Sequence, residues 1–140
     1  MPIAGALARD VARHGIWRCV VIDAEHSTLL GLGRRGFRTG YTPSTSLDRY
    51  TAVRDTYCCL PSCHRRATQA DHRTKYRDGG ATCECNLQRL CTRHHRLKDN
   101  GYFTVITATD PHDPPGTLTW TTSHGYLIKR RPPTLDARAA

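Results

Sequence analysis

Leu90-Cys91-Thr92-Arg93-His94-His95 puts one thiol and two imidazoles into five residues, Cys91 to His95, with Arg89 and Arg96 on either side. Working outward, Asn86 lies just upstream, then the adjacent pair Asp71-His72, then Cys63 and Cys58. Sulfur, imidazole and carboxylate side chains thus gather in the segment from Tyr57 to Asn100. These side-chain types bind metals, and the remainder of the chain reads as support for them.

Cys58 and Cys63 are separated by four residues including Pro61, which favours a tight knuckle; Cys91 and His94 are separated by two. Two short-spaced ligand pairs joined by a longer loop are the usual layout of a closed tetrahedral zinc site. Cys59, Cys83 and Cys85 remain alternative thiols at this stage. The excursion between the pairs carries a second set. Asp71 and His72 fall in a strand, where neighbouring side chains point to opposite faces. His95 follows His94 on a helix and is turned about 100° from it, away from the first metal and towards Asp71. One carboxylate and one imidazole make an open site, suited to a divalent ion that retains water and phosphate oxygens.

The rest of the sequence reads as a small α+β protein. Length suits one domain: 140 residues, with only 38% hydrophobic and 7% aromatic, so a metal staple would help a lean core. Residues 1–55 read as a support region, with a helix from Ala4 to His14 ended by Gly15 and a buried strand from Ile16 to Ile22 containing Cys19. Residues 31–45 are a Gly-rich loop with Arg34, Arg35 and Arg38. Its Gly31, Gly33 and Gly36 spacing lacks the βαβ context of a dinucleotide site. Ser46 is placed to cap a helix to about Asp55. Thr68 to His72 reads as a strand, Asp78-Gly79-Gly80 as a turn, and Thr92 to Lys98 as a helix, with Leu87 and Leu90 leading into it and Asn100-Gly101 ending it. The metal segment therefore spans 56–101. Residues 102–130 hold a strand from Tyr102 to Thr107 and a closing hairpin from Thr117 to Thr121 and Tyr126 to Ile128. Residues 131–140 read as a disordered tail.

Charge narrows the partners. The net charge is +9 with a pI near 9.6, the footprint of a polyanion binder. Between Cys58 and Lys98 stand nine bases, Arg65, Arg66, Arg73, Lys75, Arg77, Arg89, Arg93, Arg96 and Lys98, against the three acids Asp71, Asp78 and Glu84. They are the expected nucleic-acid contacts, of the phosphate-binding kind that confers affinity without base specificity. No run approaches the roughly 18 apolar residues of a membrane span, and no secretory leader is visible. Seven Cys is an odd number, so disulfides cannot pair them all, and reduced thiols in a cytoplasmic setting are expected.

At this point a family resemblance enters. Asp71-His72, Asn86 and His95, with fourteen positions from His72 to Asn86 and nine from Asn86 to His95, resemble the HNH endonuclease motif and its ββα-metal fold. The pairs Cys58/Cys63 and Cys91/His94 resemble the zinc-stabilised branch of that family. The likeness extends through Arg54-Asp55, Pro61, Gly79-Gly80-x-Thr82, Asn86-Leu87 and His94-His95-x-x-Lys98. It is similar there to the C-terminal region of actinobacterial HNH proteins whose N-terminal region is helical. It is firm from about residue 54 to 98 and looser at Gly15, Trp17, Arg18, Trp120, Thr121 and Gly125. Ser62 stands where relatives often have Gly, and His94 where many have Cys.

The resemblance implies a ββα-metal core stapled by a structural zinc on Cys58, Cys63, Cys91 and His94, with flanking helix and strand segments and a C-terminal β-hairpin. It implies Asp71 and His95 as ligands of a catalytic Mg2+ or Mn2+, His72 as general base, and Asn86 as the residue that braces the loop or orients His72. The implied activity is hydrolysis of DNA phosphodiester bonds, leaving 5′-phosphate and 3′-hydroxyl ends. The rival expectations are a zinc-dependent nucleic-acid-binding module without chemistry and a degenerate remnant of a larger nuclease.

Overall fold

The computed structural model describes residues 20–32 and 40–134 of the chain. The expected helix at Ala4 to His14, the start of the first strand with Cys19, the Arg34, Arg35 and Arg38 loop and residues 135–140 lie outside the described residues. The fold is α+β. Strands β1 (Val20–Ile22) and β2 (Leu29–Leu32) form a hairpin, followed by helix α1 (Thr45–Arg54). Strands β3 (Gln69–His72) and β4 (Leu87–Leu90) form a second hairpin, followed by helix α2 (Thr92–Asp99). Strands β5 (Phe103–Thr107), β6 (Leu118–Thr122) and β7 (Leu127–Arg130) make an antiparallel meander.

Several expectations are corrected in detail. The first strand is exposed at Val20, Val21 and Ile22, not buried, because it sits at the edge of a two-stranded sheet with a bulge between Val21 and Ile22. Its partner is Leu29–Leu32, whose Gly31 and Leu32 were expected at the start of the Gly-rich loop. Helix α1 is capped by Ser44, whose Oγ accepts from the Leu47 backbone N–H, so the cap lies two residues before the expected Ser46. Leu87 to Leu90 is a strand in full register with β3, pairing His72 with Leu87 and Gln69 with Leu90. It is buried at Leu87, Gln88 and Leu90, so it shows no alternation for a sequence to display. Residues 131–134 are not a free tail, since Thr134 forms a bridge with Thr28.

The core explains why the two halves hold together. Cys58, Cys59, Leu90 and Cys91 pack with Val105, Leu118 and Trp120, and Phe103 meets Trp120 edge-on at 6.2 Å. The Cys58–Cys63 knuckle, the start of α2 and the meander are thus one apolar cluster. Seven mostly small residues form its buried part, and four of the seven are not large aliphatics or aromatics. Among the described residues no helix is long and apolar enough to cross a membrane.

Candidate functional site

The knuckle after α1 turns at Ser62, whose φ of 63° lies in the left-handed region that glycine adopts most readily. The turn closes with the Cys63 N–H donating to the Leu60 carbonyl, while the Cys58 N–H donates to Arg65. This brings Cys58 and Cys63 to the start of α2. There Cys91 is the N-cap and His94 lies in the first turn. The four ligand atoms of Cys58, Cys63, Cys91 and His94 lie within 4.8 Å of one another and could hold a metal ion. His94 Nδ1 stands 3.4 Å from both Cys58 Sγ and Cys91 Sγ.

Burial pushes the Cys58 thiol up to about 12, as expected where a thiolate has no cation to compensate it. Burial also raises Cys91, but hydrogen bonds from the His94 backbone and the Cys58 and Cys63 thiols outweigh it and leave Cys91 below the ordinary value. The alternative thiols take other places. Cys59 is fully buried in the core, and burial pushes its thiol up to about 12. Cys83 and Cys85 are joined by a disulfide, so the expectation of uniformly reduced thiols is corrected for this pair. The two sulfurs sit in one short loop, where only Glu84 separates them.

A cleft of about 370 Å3 adjoins this cluster, lined by Asp71, His72, Lys75, Arg77, His95 and Asp99 with Tyr41 and Tyr76. Asp71, His95 and Asp99 form a second group whose ligand atoms gather within 4.8 Å. His95 Nε2 is 3.6 Å from Asp71 Oδ1, and its Nδ1 is 3.4 Å from Asp99 Oδ2. The successive histidines of α2 therefore address different groups, His94 the thiols and His95 the carboxylates. Asp71 is buried and already held: Gln88 Nε2 donates to Oδ2 at 2.7 Å, and Lys98 Nζ reaches the carboxylate at 3.1 Å.

Asp71 and His72 were expected on opposite faces of the strand, yet both line this one cleft. The regular strand ends at His72, where the chain departs towards the turn at Tyr76–Asp78. His72 is buried, its Nε2 lies 2.9 Å from Thr82 Oγ1, and its ring stacks on Tyr41 with centroids 5.2 Å apart. Burial lowers its pKa below the ordinary histidine value; Asp71 opposes that and Lys98 reinforces it.

Asn86 braces the loop, and its side-chain hydrogen bonds go to the loop backbone, not to His72. Its Oδ1 accepts from the Thr74 N–H, and its Nδ2 donates to the Thr74 and Ala81 carbonyls. Gly80 is buried against the same place, where an added Cβ would collide with the Thr74 carbonyl oxygen. The carboxamide thus ties both ends of the 74–81 loop beside the cleft.

Three of the nine expected nucleic-acid contacts are corrected. Arg73 is buried, with Nη1 donating to the Cys85 carbonyl and to Thr107 Oγ1. Lys98 is buried on Asp71 and the His72 carbonyl. Arg89 is committed to Asp48 of α1 at 2.7 Å. Each holds an internal partner remote in sequence, and charge counting cannot register that. Arg65, Arg66, Arg77, Arg93 and Arg96 are exposed, and Lys75 reaches the Asp99 carbonyl while lining the cleft.

The sequence reading missed Asp99, Gln88 and the two tyrosines, and it quoted Thr82 within the likeness without a role. Asp99 had a signal, because it stands four residues after His95 on one helix and faces the same way. Gln88 had none, since its role depends on strand register, and the contact of Thr82 with His72 depends on loop packing. Tyr41 comes from a segment about thirty residues before His72.

No protein-family model matches the chain, and no solved structure matches it at a significant level. It is 34% identical over 95 residues to the uncharacterized protein Rv3776 of Mycobacterium tuberculosis (strain ATCC 25618 / H37Rv), an alignment that covers 66% of this chain. The match spans 17% of that relative's length.

Proposed function

We propose that the chain is a metal-dependent nuclease of the HNH type that hydrolyses DNA phosphodiester bonds, with a zinc ion as staple. The observation that carries this reading is the paired arrangement at α2: a thiol-rich quartet and a carboxylate-imidazole group, addressed by the successive residues His94 and His95.

The residues fit both ions. Three sulfurs and one imidazole nitrogen are the donor set of a structural zinc. The 3.4 Å Sγ to Nδ1 separations are close to the edge, about 3.6 Å, of a tetrahedron with ordinary zinc bond lengths. Asp71 and His95, with Asp99 as a third donor or as the residue orienting His95 through Nδ1, suit a harder ion such as Mg2+ or Mn2+. Such an ion would supply Lewis-acid stabilisation of charge on the phosphate and on the leaving oxygen.

The chain's own groups do the rest. In this reading the Thr82 hydroxyl, 3.4 Å from the Tyr41 carbonyl, donates to it and accepts from His72, which assigns the histidine proton to Nε2. Nδ1 then carries the free lone pair, in a ring that lines the cleft. From there it accepts a proton from an attacking water, and burial, by lowering its pKa, keeps the ring in the neutral form that a base needs. Lys75 and Arg77 at the cleft, with exposed Arg65, Arg66, Arg93 and Arg96, provide cationic purchase for phosphates. Asn86 keeps the Thr74 to Ala81 loop in place.

The test uses supercoiled plasmid with Mg2+ or Mn2+, comparing the zinc-loaded protein with His72→Ala. Nicking by the wild type and its loss in the folded variant is the expected result. Absence of nicking by a zinc-loaded wild type, or equal nicking by both, overturns the proposal. A second reading, a zinc-dependent DNA-binding module without chemistry, is favoured by the Lys98 ammonium, which already neutralises Asp71. It predicts salt-sensitive DNA binding that His72→Ala leaves unchanged, with no cleavage.

A further inference from the structure

A second cavity, about 450 Å3, shares no lining residue with the cleft and is bounded by Leu29, Leu30, Tyr50, Arg54, Arg73 and Cys85 among others. Its two guanidiniums are unlike. Arg54 donates from Nε and Nη2 to both oxygens of Asp55, and also to the Leu87 and Glu84 carbonyls. Its charge and its donors are satisfied. Arg73 is only 8% exposed, and its Nη1 donates to the Cys85 carbonyl and to Thr107 Oγ1. Nε is buried with no partner, and among the described residues no carboxylate lies within ion-pair distance of this side chain.

A buried cation of this kind is ordinarily compensated by a paired anion. Glu84 also lines the cavity, and its backbone carbonyl accepts from Arg54 Nη1. The rest of the lining from Leu29, Leu30 and the Tyr50 ring is apolar or aromatic, and the volume is in the range of small-ligand sites.

We propose that this cavity binds a small organic anion, a carboxylate or phosphate on an apolar body, with Arg73 as its cationic anchor. The apolar walls take the body, and Nη2 of the guanidinium, which has no acceptor among the described residues, takes the anionic head through charge-assisted hydrogen bonds. The site is independent of the nuclease reading, since none of its lining residues belongs to the cleft.

Calorimetric titration of the full chain with benzoate, phenyl phosphate and neutral benzyl alcohol tests it, and the first two arms tell a carboxylate ligand from a phosphate one. At least one anion is expected to bind, and the alcohol is not. Arg73→Met should weaken anion binding by about tenfold or more, the worth of a charge-assisted contact. Leu30→Glu, a change at a half-buried position, supplies a resident carboxylate and should likewise abolish binding. It decides the matter if Arg73→Met does not fold. The combined change Lys75→Ala with Arg77→Ala, at the other cleft, should leave binding unaltered. Failure of both anions to bind, equal binding by benzyl alcohol, or loss in the cleft variant with retention in Leu30→Glu overturns the proposal.

Discussion

His94→Ala and His95→Ala are neighbouring changes of the same chemistry, and the two sites give them opposite outcomes. His94 supplies one of the four atoms of the thiol-rich quartet and touches two of the other three at 3.4 Å. A structural zinc site contributes about 10–16 kcal/mol of apparent binding free energy, so the loss of one ligand in four removes roughly 2.5–4 kcal/mol. For a domain of this size about 1 kcal/mol moves the midpoint by about 4 °C, which gives a fall of about 10–16 °C. His95 is half-buried, and its ion pairs with Asp71 and Asp99 are long, at 3.6 and 3.4 Å. Pairs of that kind are worth about 0–1 kcal/mol, so His95→Ala should melt within about 4 °C of the wild type. Thermal melting by circular dichroism, with elemental analysis for bound zinc, reads both quantities. The reasoning is refuted if His94→Ala keeps its zinc and its midpoint, or if the two variants fall together.

Three further outcomes follow from the same geometry. Ser62→Gly relieves a left-handed residue and should raise stability by about 1 kcal/mol, read as a midpoint a few degrees higher; a fall would show that the Ser62 side chain matters more than its backbone. Asn86→Ala should cost about 1–2 kcal/mol and speed hydrogen exchange across residues 74–81, and Gly80→Ala should cost about 1–3 kcal/mol through its collision with the Thr74 carbonyl; unchanged exchange in Asn86→Ala would remove its bracing role. Lys98→Met strands a buried Asp71 and should cost about 3–5 kcal/mol, with millimolar Mn2+ restoring part of the loss. A variant that melts like the wild type in metal-free buffer would show that Asp71 does not depend on Lys98.

The quartet was legible because each of its pairs is local. Cys58 to Cys63 and Cys91 to His94 are spacings that one turn can close, and only the meeting of the pairs needed the fold. The direction of His95 was legible for the same reason, as the rotation of one helical residue. Asn86 was legible in its place but open in its role, and its bonds to Thr74 and Ala81 settle on the loop. What the sequence hid was register and burial. Leu87-Gln88-Arg89-Leu90 spaces its leucines as a helix would, and pairing with Gln69 to His72 makes it a strand. Arg73, Arg89 and Lys98 look like surface bases because their partners, Thr107, Asp48 and Asp71, stand at sequence distances no local pattern reports.

Lys98 also separates the two candidate metal sites by their bearing on folding. A buried carboxylate needs a counter-charge whether or not an ion is present, and Asp71 has one in the ammonium, with Gln88 satisfying an oxygen. The Asp71 group is therefore compatible with the folded chain on its own, and an ion there is free to exchange. The quartet has no such substitute. Its thiols are compensated by one another and by the neutral ring of His94, and burial holds the Cys58 proton on. Three thiols and an imidazole at the hub of a small core contribute little until they are deprotonated onto a metal. Chelation should consequently act in two stages, with the exchangeable ion leaving a folded chain and the quartet's ion taking the fold with it.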